Sequence, residues 1–378
     1  MTPFNSQQVI DERIKSINLR GYLVGFDLDD VGNNQYRISP LILKILSALH
    51  EFCFGHHEGC STDNTETLNK IIESAKLVYK IDSFCKIREL CQTSDYEDSD
   101  IPDKYLKRGE FGELILHLLL RDFHATIPLL SKIYFKDSIG HAVHGFDSVH
   151  IDPINQELWL GESKLYTDPK SGLRELIKDV TEHFNNDYIN SEFMLISKKI
   201  KGFPSTPEVD YWVDLLSEGG KISDKLKKIN IPLLCTYSCE LFNLYNDENS
   251  DEFCNKYMEK ITELKKYFDD NFHHPWKEHL NIILILFPVQ NKMELVKKLH
   301  HKLTLMDLVY DGVFEVLQWL LFLSAVPPVQ LLKAWCVTVK VLPDISAISA
   351  LTAVKHGSYS SLTPLLNPVR IRKSLIWP

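Results

Sequence analysis

Apolar residues recur along this chain in two periods, three to four residues in some stretches and two in others, and the two periods separate helices from strands. "GYLVGFDLDD" (21–30) is rich in aromatic and β-branched side chains and predicts a strand. "SPLILKILSALHEFCFG" predicts a helix, with Ser39 and Pro40 in N-cap and N1 order and Gly55 as its stop. A second helix is expected over "TDNTETLNKIIESAKLVYKI", where Leu68, Ile71, Ile72, Ala75 and Val78 share a face and Asn64 or Thr65 caps the start. The acidic, aperiodic "CQTSDYEDSDIPDK" reads as a loop and a module boundary near residue 100.

Beyond it, "YLKRGEFGELILHLLLRDF" predicts a helix whose Phe111, Leu114, Ile115, Leu118 and Leu119 form the core stripe. Glu110, Glu113, His117 and Arg121 fall together on another face. "SKIYFKDS", "HAVHGFDSVHI" and "ELWLGESKLY" read as three short strands, the last two joined by the turn sequence Asp152-Pro153-Ile154-Asn155. "SGLRELIKDVTEHFNNDYI" predicts a helix capped by Ser171. "NIPLLCTYS" and "LNIILILFPV" have the length and unbroken apolar content of buried strands. Between them "DEFCNKYMEKITELKKYFDDNF" is an amphipathic helix, and "NKMELVKKLHHKL" supplies another after the last strand. An α/β domain thus runs to about residue 303.

From residue 303 the texture changes to four acids and six basic residues, a net of +2 against −11 for the remainder. "VLQWLLFLSAVPPVQLL" is the most apolar stretch, but two prolines interrupt it and its unbroken part is well short of the roughly 20 residues a bilayer span needs. It reads as a packed tail or an appended segment.

Over its 378 residues the chain carries a net charge of −9, which argues against coating nucleic acid through the overall field. Any nucleic-acid contact has to be local or supplied by a partner. The N-terminus lacks the basic-then-apolar order of a signal peptide, so a cytoplasmic location is expected, with the eight cysteines as reduced thiols. Cys53, His56, His57 and Cys60 offer two thiols and two imidazoles, but eight consecutive residues are cramped around one tetrahedral zinc, and a polar helix end is the stronger reading.

The candidate chemistry lies in "GFDSVHIDPINQELWLGESKLY". Glu162-Ser163-Lys164 alone means little, since Glu263-Leu264-Lys265 repeats the pattern on a solvated helix face. On a strand, however, the period of two puts Glu162 and Lys164 on one face, with Cα atoms roughly 6.5 Å apart. The turn sets an antiparallel register in which paired residue numbers sum to about 307 to 309. Asp147 then lies opposite Gly161 or Glu162, or one step away. Two carboxylates side by side repel unless a cation sits between them, and hard oxygens suit Mg²⁺ or Mn²⁺. Gly145 and Gly161 flank the acids, where a strand glycine marks close approach of a ligand or another backbone. Glu113 is a candidate third carboxylate, with Glu110 one turn away as its competitor. His117, His144 and His183 could touch DNA or lie in the site, but are read first as polar surface histidines.

In this order, "RGEFGEL", "GFDSVHI" and "GESK" resemble the PD-(D/E)xK nuclease superfamily, with Glu113, Asp147, Glu162 and Lys164 at its motif positions. More narrowly, residues 100–303, with weaker support before them, are similar to the HamA family, nuclease subunits of the Hachiman anti-phage system. The resemblance implies a restriction-endonuclease-like core, a mixed central sheet flanked by helices, over 101–303. An N-terminal α/β elaboration (1–100) and a C-terminal apolar tail (304–378) would be added to it. It also implies Mg²⁺ or Mn²⁺ held by Asp147, Glu162 and Glu113, hydrolysis of DNA with Lys164 in the site, and a HamB-like superfamily 2 helicase as partner. Two other readings stay open, a catalytically silent interaction subunit of a helicase complex and a membrane-acting effector.

Overall fold

The computed structural model describes residues 3–59, 64–79, 109–130, 145–201, 208–217, 219–304 and 306. These fall in a compact unit spanning Met1–Tyr310. The strand expected over 131–138, the acidic loop near residue 100, His144 and the tail beyond residue 306 lie outside the described residues.

A seven-stranded mixed sheet organises the unit. In chain order its strands are β1 (Ile10–Ser16), β2 (Leu19–Val24), β5 (Ile127–Leu130), β6 (Ser148–Asp152), β7 (Glu157–Tyr166), β8 (Ile229–Ser238) and β9 (Asn281–Val289). Across the sheet the order is β1-β2-β9-β8-β7-β6-β5, and β3 (Phe26–Leu28) pairs with β4 (Asn34–Tyr36) separately. Strands β2, β9, β8 and β7 run parallel, with antiparallel ribbons at both edges. The two apolar runs form the centre, and β8 is buried from Ile229 through Tyr237. A parallel centre requires cover on both faces, which explains why neither run alternates with polar residues. Strands β1 and β2 near the N-terminus therefore belong to the same sheet, joined to it through β2 and β9.

The run 21–30 does not form one strand. It breaks at Gly25, whose neighbour Phe26 donates its backbone N–H to Glu248 at 3.0 Å. Nor does the first helix begin at the serine-proline pair. Helix α1 (Ile38–Ser47) starts with Arg37 at its N-cap, and α2 (Leu49–Gly59) takes over after Ala48. Gly55 interrupts α2 at φ 78°, a left-handed value that glycine tolerates. Helix α3 (Asn64–Tyr79) follows as expected, with Ile72, Ala75 and Val78 buried. Ile38–Gly55 is the one described stretch long and apolar enough to cross a membrane, and half of it is buried inside the fold.

Helix α4 (Glu110–Phe123) is buried around nearly its whole circumference, polar stripe included. The reason is α2, which packs on that stripe and presents Glu51. Arg121 donates to Glu51 through Nε and, at 3.1 Å, through Nη2. His117 stands 3.4 Å from the same carboxylate and 3.2 Å from His150 of β6. His117 is thus a core histidine, correcting the surface reading.

The helix expected from 171 to 189 forms as two. Helix α5 (Pro169–His183) is capped by Asp168, which accepts from the Ser171 N–H at 2.7 Å, so the aspartate three residues earlier fills the role expected of Ser171. Helix α6 (Asn186–Ile200) restarts with Asn185 as its cap. After the short α7 (Val209–Leu215), α8 (Ile222–Leu226) and α9 (Leu241–Leu244), α10 (Asp251–Asn271) buries Phe253, Tyr257, Ile261, Leu264 and Phe268 at helical spacing. The two charged residues of the comparison tripeptide flank the buried Leu264 and pair locally, Glu263 with Lys170 and Lys265 with Asp269.

Candidate active site

Strand β7 carries the tripeptide, and its two faces meet different helices. A Cβ on Gly112 of α4 would lie 3.3 Å from Ser163 Oγ, so the odd positions of β7 face α4. A Cβ on Gly172 of α5 would approach Cys235 Sγ at 2.8 Å and Lys164 Cβ at 3.8 Å, so the even positions face α5. Glu162 and Lys164 accordingly share the α5 face, as the strand period requires.

The β6–β7 pairs run from Ser148↔Gly161 to Asp152↔Glu157, at the upper end of the expected register. The turn is held by Asp152, whose carboxylate accepts from the backbone of Ile154 and Asn155 and from the Asn155 side chain. One step beyond the ladder, Asp147 falls beside Glu162. Its carboxylate accepts from both the N–H and the Oγ of Ser163, each at 3.0 Å.

Glu162 is 2% exposed, and burial pushes its carboxyl up to about 7; the Asp147 charge adds to the rise and the bond to His183 works against it. His183 Nδ1 lies 2.7 Å from Glu162 Oε1. Burial alone would lower the imidazole, but its bond to Glu162 and the charges of Glu162, Asp179 and Asp147 raise it instead. Its ring is stacked on Tyr188 at 4.5 Å and meets Phe146 edge-on. Lys164 pairs with Asp179 at 2.5 Å. Burial opposes its charge, while Asp179, Asp147 and Glu162 together raise its pKa.

Asp147, Glu162 and Lys164 are therefore gathered. Glu113 and Glu110 both lie in the first turn of α4, Glu113 buried and Glu110, the first residue of the helix, half-buried. His183 is bonded to Glu162, so of its two expected placements the one in the site holds and the surface one does not. Asp179 was missed altogether, although Asp179 and His183 stand four apart on the helix that follows the strand, a spacing that puts them on one face. Gly161 is explained by packing: a Cβ there would meet Leu116 Cδ2 at 2.8 Å and Pro232 Cγ at 3.1 Å. Of the possible zinc ligands only Cys53 has a described side chain, and it is buried with its thiol toward the Ser74 carbonyl.

A family model for HamA matches residues 2–303. The chain belongs to the HamA family. Membership of the HamA family suggests a Hachiman defence-related protein. No curated protein matches the chain. The HamA match begins well before residue 100, where the motif resemblance starts, as expected if β1 and β2 are integral to the sheet. It ends at residue 303, where the composition changes.

Proposed function

We propose that the chain is a metal-dependent nuclease effector of an anti-phage defence complex. It would hydrolyse DNA phosphodiester bonds when a partner HamB-like superfamily 2 helicase releases or activates it. The observation that carries this reading is the register that sets Asp147 beside Glu162, with Lys164 on the Glu162 face.

The donor set suits a hard divalent cation. Two neighbouring carboxylates offer oxygen ligands, and the Asp147 charge that hinders ionisation of Glu162 is what a cation would offset. Among the described residues no three acidic, histidine or cysteine side chains already converge as a ligand set. Asp147 and Glu162 would hold Mg²⁺ or Mn²⁺, with Glu113 or the Ser163 carbonyl completing the set. When bound, the ion lowers the pKa of a coordinated water, giving a nucleophile near neutral pH. Lys164 would orient that water and offset charge developing on the phosphate oxygens. The chain's own acidity gives the helicase a further task, delivery of the substrate.

The test is plasmid cleavage by wild type, Glu162→Ala and Lys164→Ala, with and without Mg²⁺ and the partner. Cleavage by wild type with a strong loss in both variants supports the proposal; equal nicking by all three, or none under any condition, rejects it. A second reading draws on the pairing of each group inside the protein: Asp147 with Ser163, Glu162 with His183, Lys164 with Asp179. A silent nuclease-fold subunit of a helicase complex would leave them so, and would give no cleavage under any condition.

A further inference from the structure

Helix α5 and strand β7 are spaced to match each other. Four helical residues advance about 6 Å along the axis, and two strand residues advance about 6.6 Å. The crossover from β7 to the parallel β8 sends α5 back antiparallel to β7. Asp179 thus reaches Lys164, and His183, one turn further on, reaches Glu162. Gly172 allows this approach, since a Cβ there would collide with Cys235 Sγ of the neighbouring strand at 2.8 Å. Leu173, Leu176 and Val180, all buried, fix the rotation of the helix.

From this register we infer that Asp179 and His183 are positioning residues for the proposed phosphodiester hydrolysis. Asp179 aims the Lys164 ammonium and His183 holds the Glu162 carboxylate. The inference rests on the nuclease reading and adds two residues to it. A lysine has four rotatable bonds and a compact charge, so its aim depends on what its ammonium is tied to. Asp179 supplies that tie from a rigid helix, with both side chains about one-fifth exposed. His183 cannot swing freely, being stacked on Tyr188 and edged by Phe146. A misplacement of about 1 Å at such a group costs on the order of 100-fold in rate.

The experiment uses the full chain with its helicase partner, Mg²⁺ and plasmid, in single-turnover and steady-state form. Asp179→Asn and His183→Ala are expected to lower kcat roughly 10- to 100-fold with KM within about twofold. Asp179→Glu and His183→Gln, which keep the charge or the donor, should recover part of the loss. On a Lys164→Ala background Asp179→Asn should cost less than about twofold more, because there is no ammonium left to aim. Lys170→Ala, on the exposed start of the same helix, is the control and should cleave like wild type. Wild-type rates in Asp179→Asn and His183→Ala overturn the inference and leave the nuclease reading standing. So does an equal loss with and without Lys164, the mark of a structural role, or faster cleavage by Asp179→Asn, the mark of a restraint. Absence of any Lys164-dependent cleavage removes both.

Discussion

Asp147 accepts two hydrogen bonds from Ser163, one from the backbone and one from the hydroxyl, and so ties the end of β6 to the residue between Glu162 and Lys164. The middle residue of the tripeptide is therefore a support for the aspartate across the ladder. Ser163→Ala removes one of the two bonds and keeps the other. Loss of such an outer support lowers metal affinity by about 10- to 100-fold, and with the backbone bond intact the lower figure is expected. Titration calorimetry with Mn²⁺ measures it: about tenfold weaker binding for Ser163→Ala, and no measurable binding for Asp147→Ala. Wild-type affinity in Ser163→Ala would show that the hydroxyl does not set the aspartate.

The same site makes stability depend on pH. Glu162 ionises at about 7 in the fold against an ordinary 4.5, chiefly because it is buried. Between those values the native state keeps a proton that the unfolded chain releases, so stability falls as pH rises through this window. His183 slopes the same way, since its raised pKa contributes stability that is full below its ordinary value and fades as pH rises through the folded one. Glu162→Gln removes the first contribution. The variant should be more stable than wild type at pH 8 by on the order of 2 kcal/mol, with the gap closing toward pH 5. Urea unfolding at the two pH values tests this, and an equal gap at both would refute it. Mg²⁺ at pH 8 should raise the wild-type midpoint and leave that of Glu162→Gln in place.

How much of this was legible in the sequence follows from the range of each interaction. The register of Asp147 against Glu162 depends on a four-residue turn, and the shared face of Glu162 and Lys164 on strand geometry; both are local. Asp179 and His183 share a helix face that can also be read locally, but their match to β7 depends on how closely α5 docks, set by Gly172 against Cys235. The polar stripe of α4 was visible as a stripe, and its burial was not, because Glu51 arrives from a helix some 70 residues earlier. The same holds for β2 beside β9, a parallel pairing with no turn to announce it. The cap of α5 was misplaced for a smaller reason: Asp168 and Ser171 are both capping residues, and Pro169 fits the N1 position after Asp168.

Gly161 gives a packing prediction that is independent of catalysis. A methyl group there meets the Leu116 side chain at 2.8 Å and the Pro232 ring at 3.1 Å. Gly161→Ala should therefore destabilise by about 1–3 kcal/mol, the usual range for overpacking. Leu116→Ala opens the space on the helix side, so the glycine substitution should cost less in that background. A urea double-mutant cycle reads the difference; strictly additive losses would mean that the strain falls on Pro232.

The buried cluster behind the site offers the largest expected stability effect. Arg121 of α4 donates to Glu51 of α2 through two nitrogens and to the Thr126 carbonyl, and both ion-pair side chains are almost wholly buried. From the same helix, His117 continues to His150 on β6, three residues from Asp147. Removing one charge strands the other in a medium that solvates it poorly, so Arg121→Ala or Glu51→Ala should cost about 3–5 kcal/mol. Replacing both with apolar groups of similar size, Glu51→Leu with Arg121→Met, should recover most of that loss, since neither stranded charge remains. Chemical denaturation of the two single variants and the double one decides between this and additive losses. Additive losses would mean that the two side chains stabilise the fold through separate contacts.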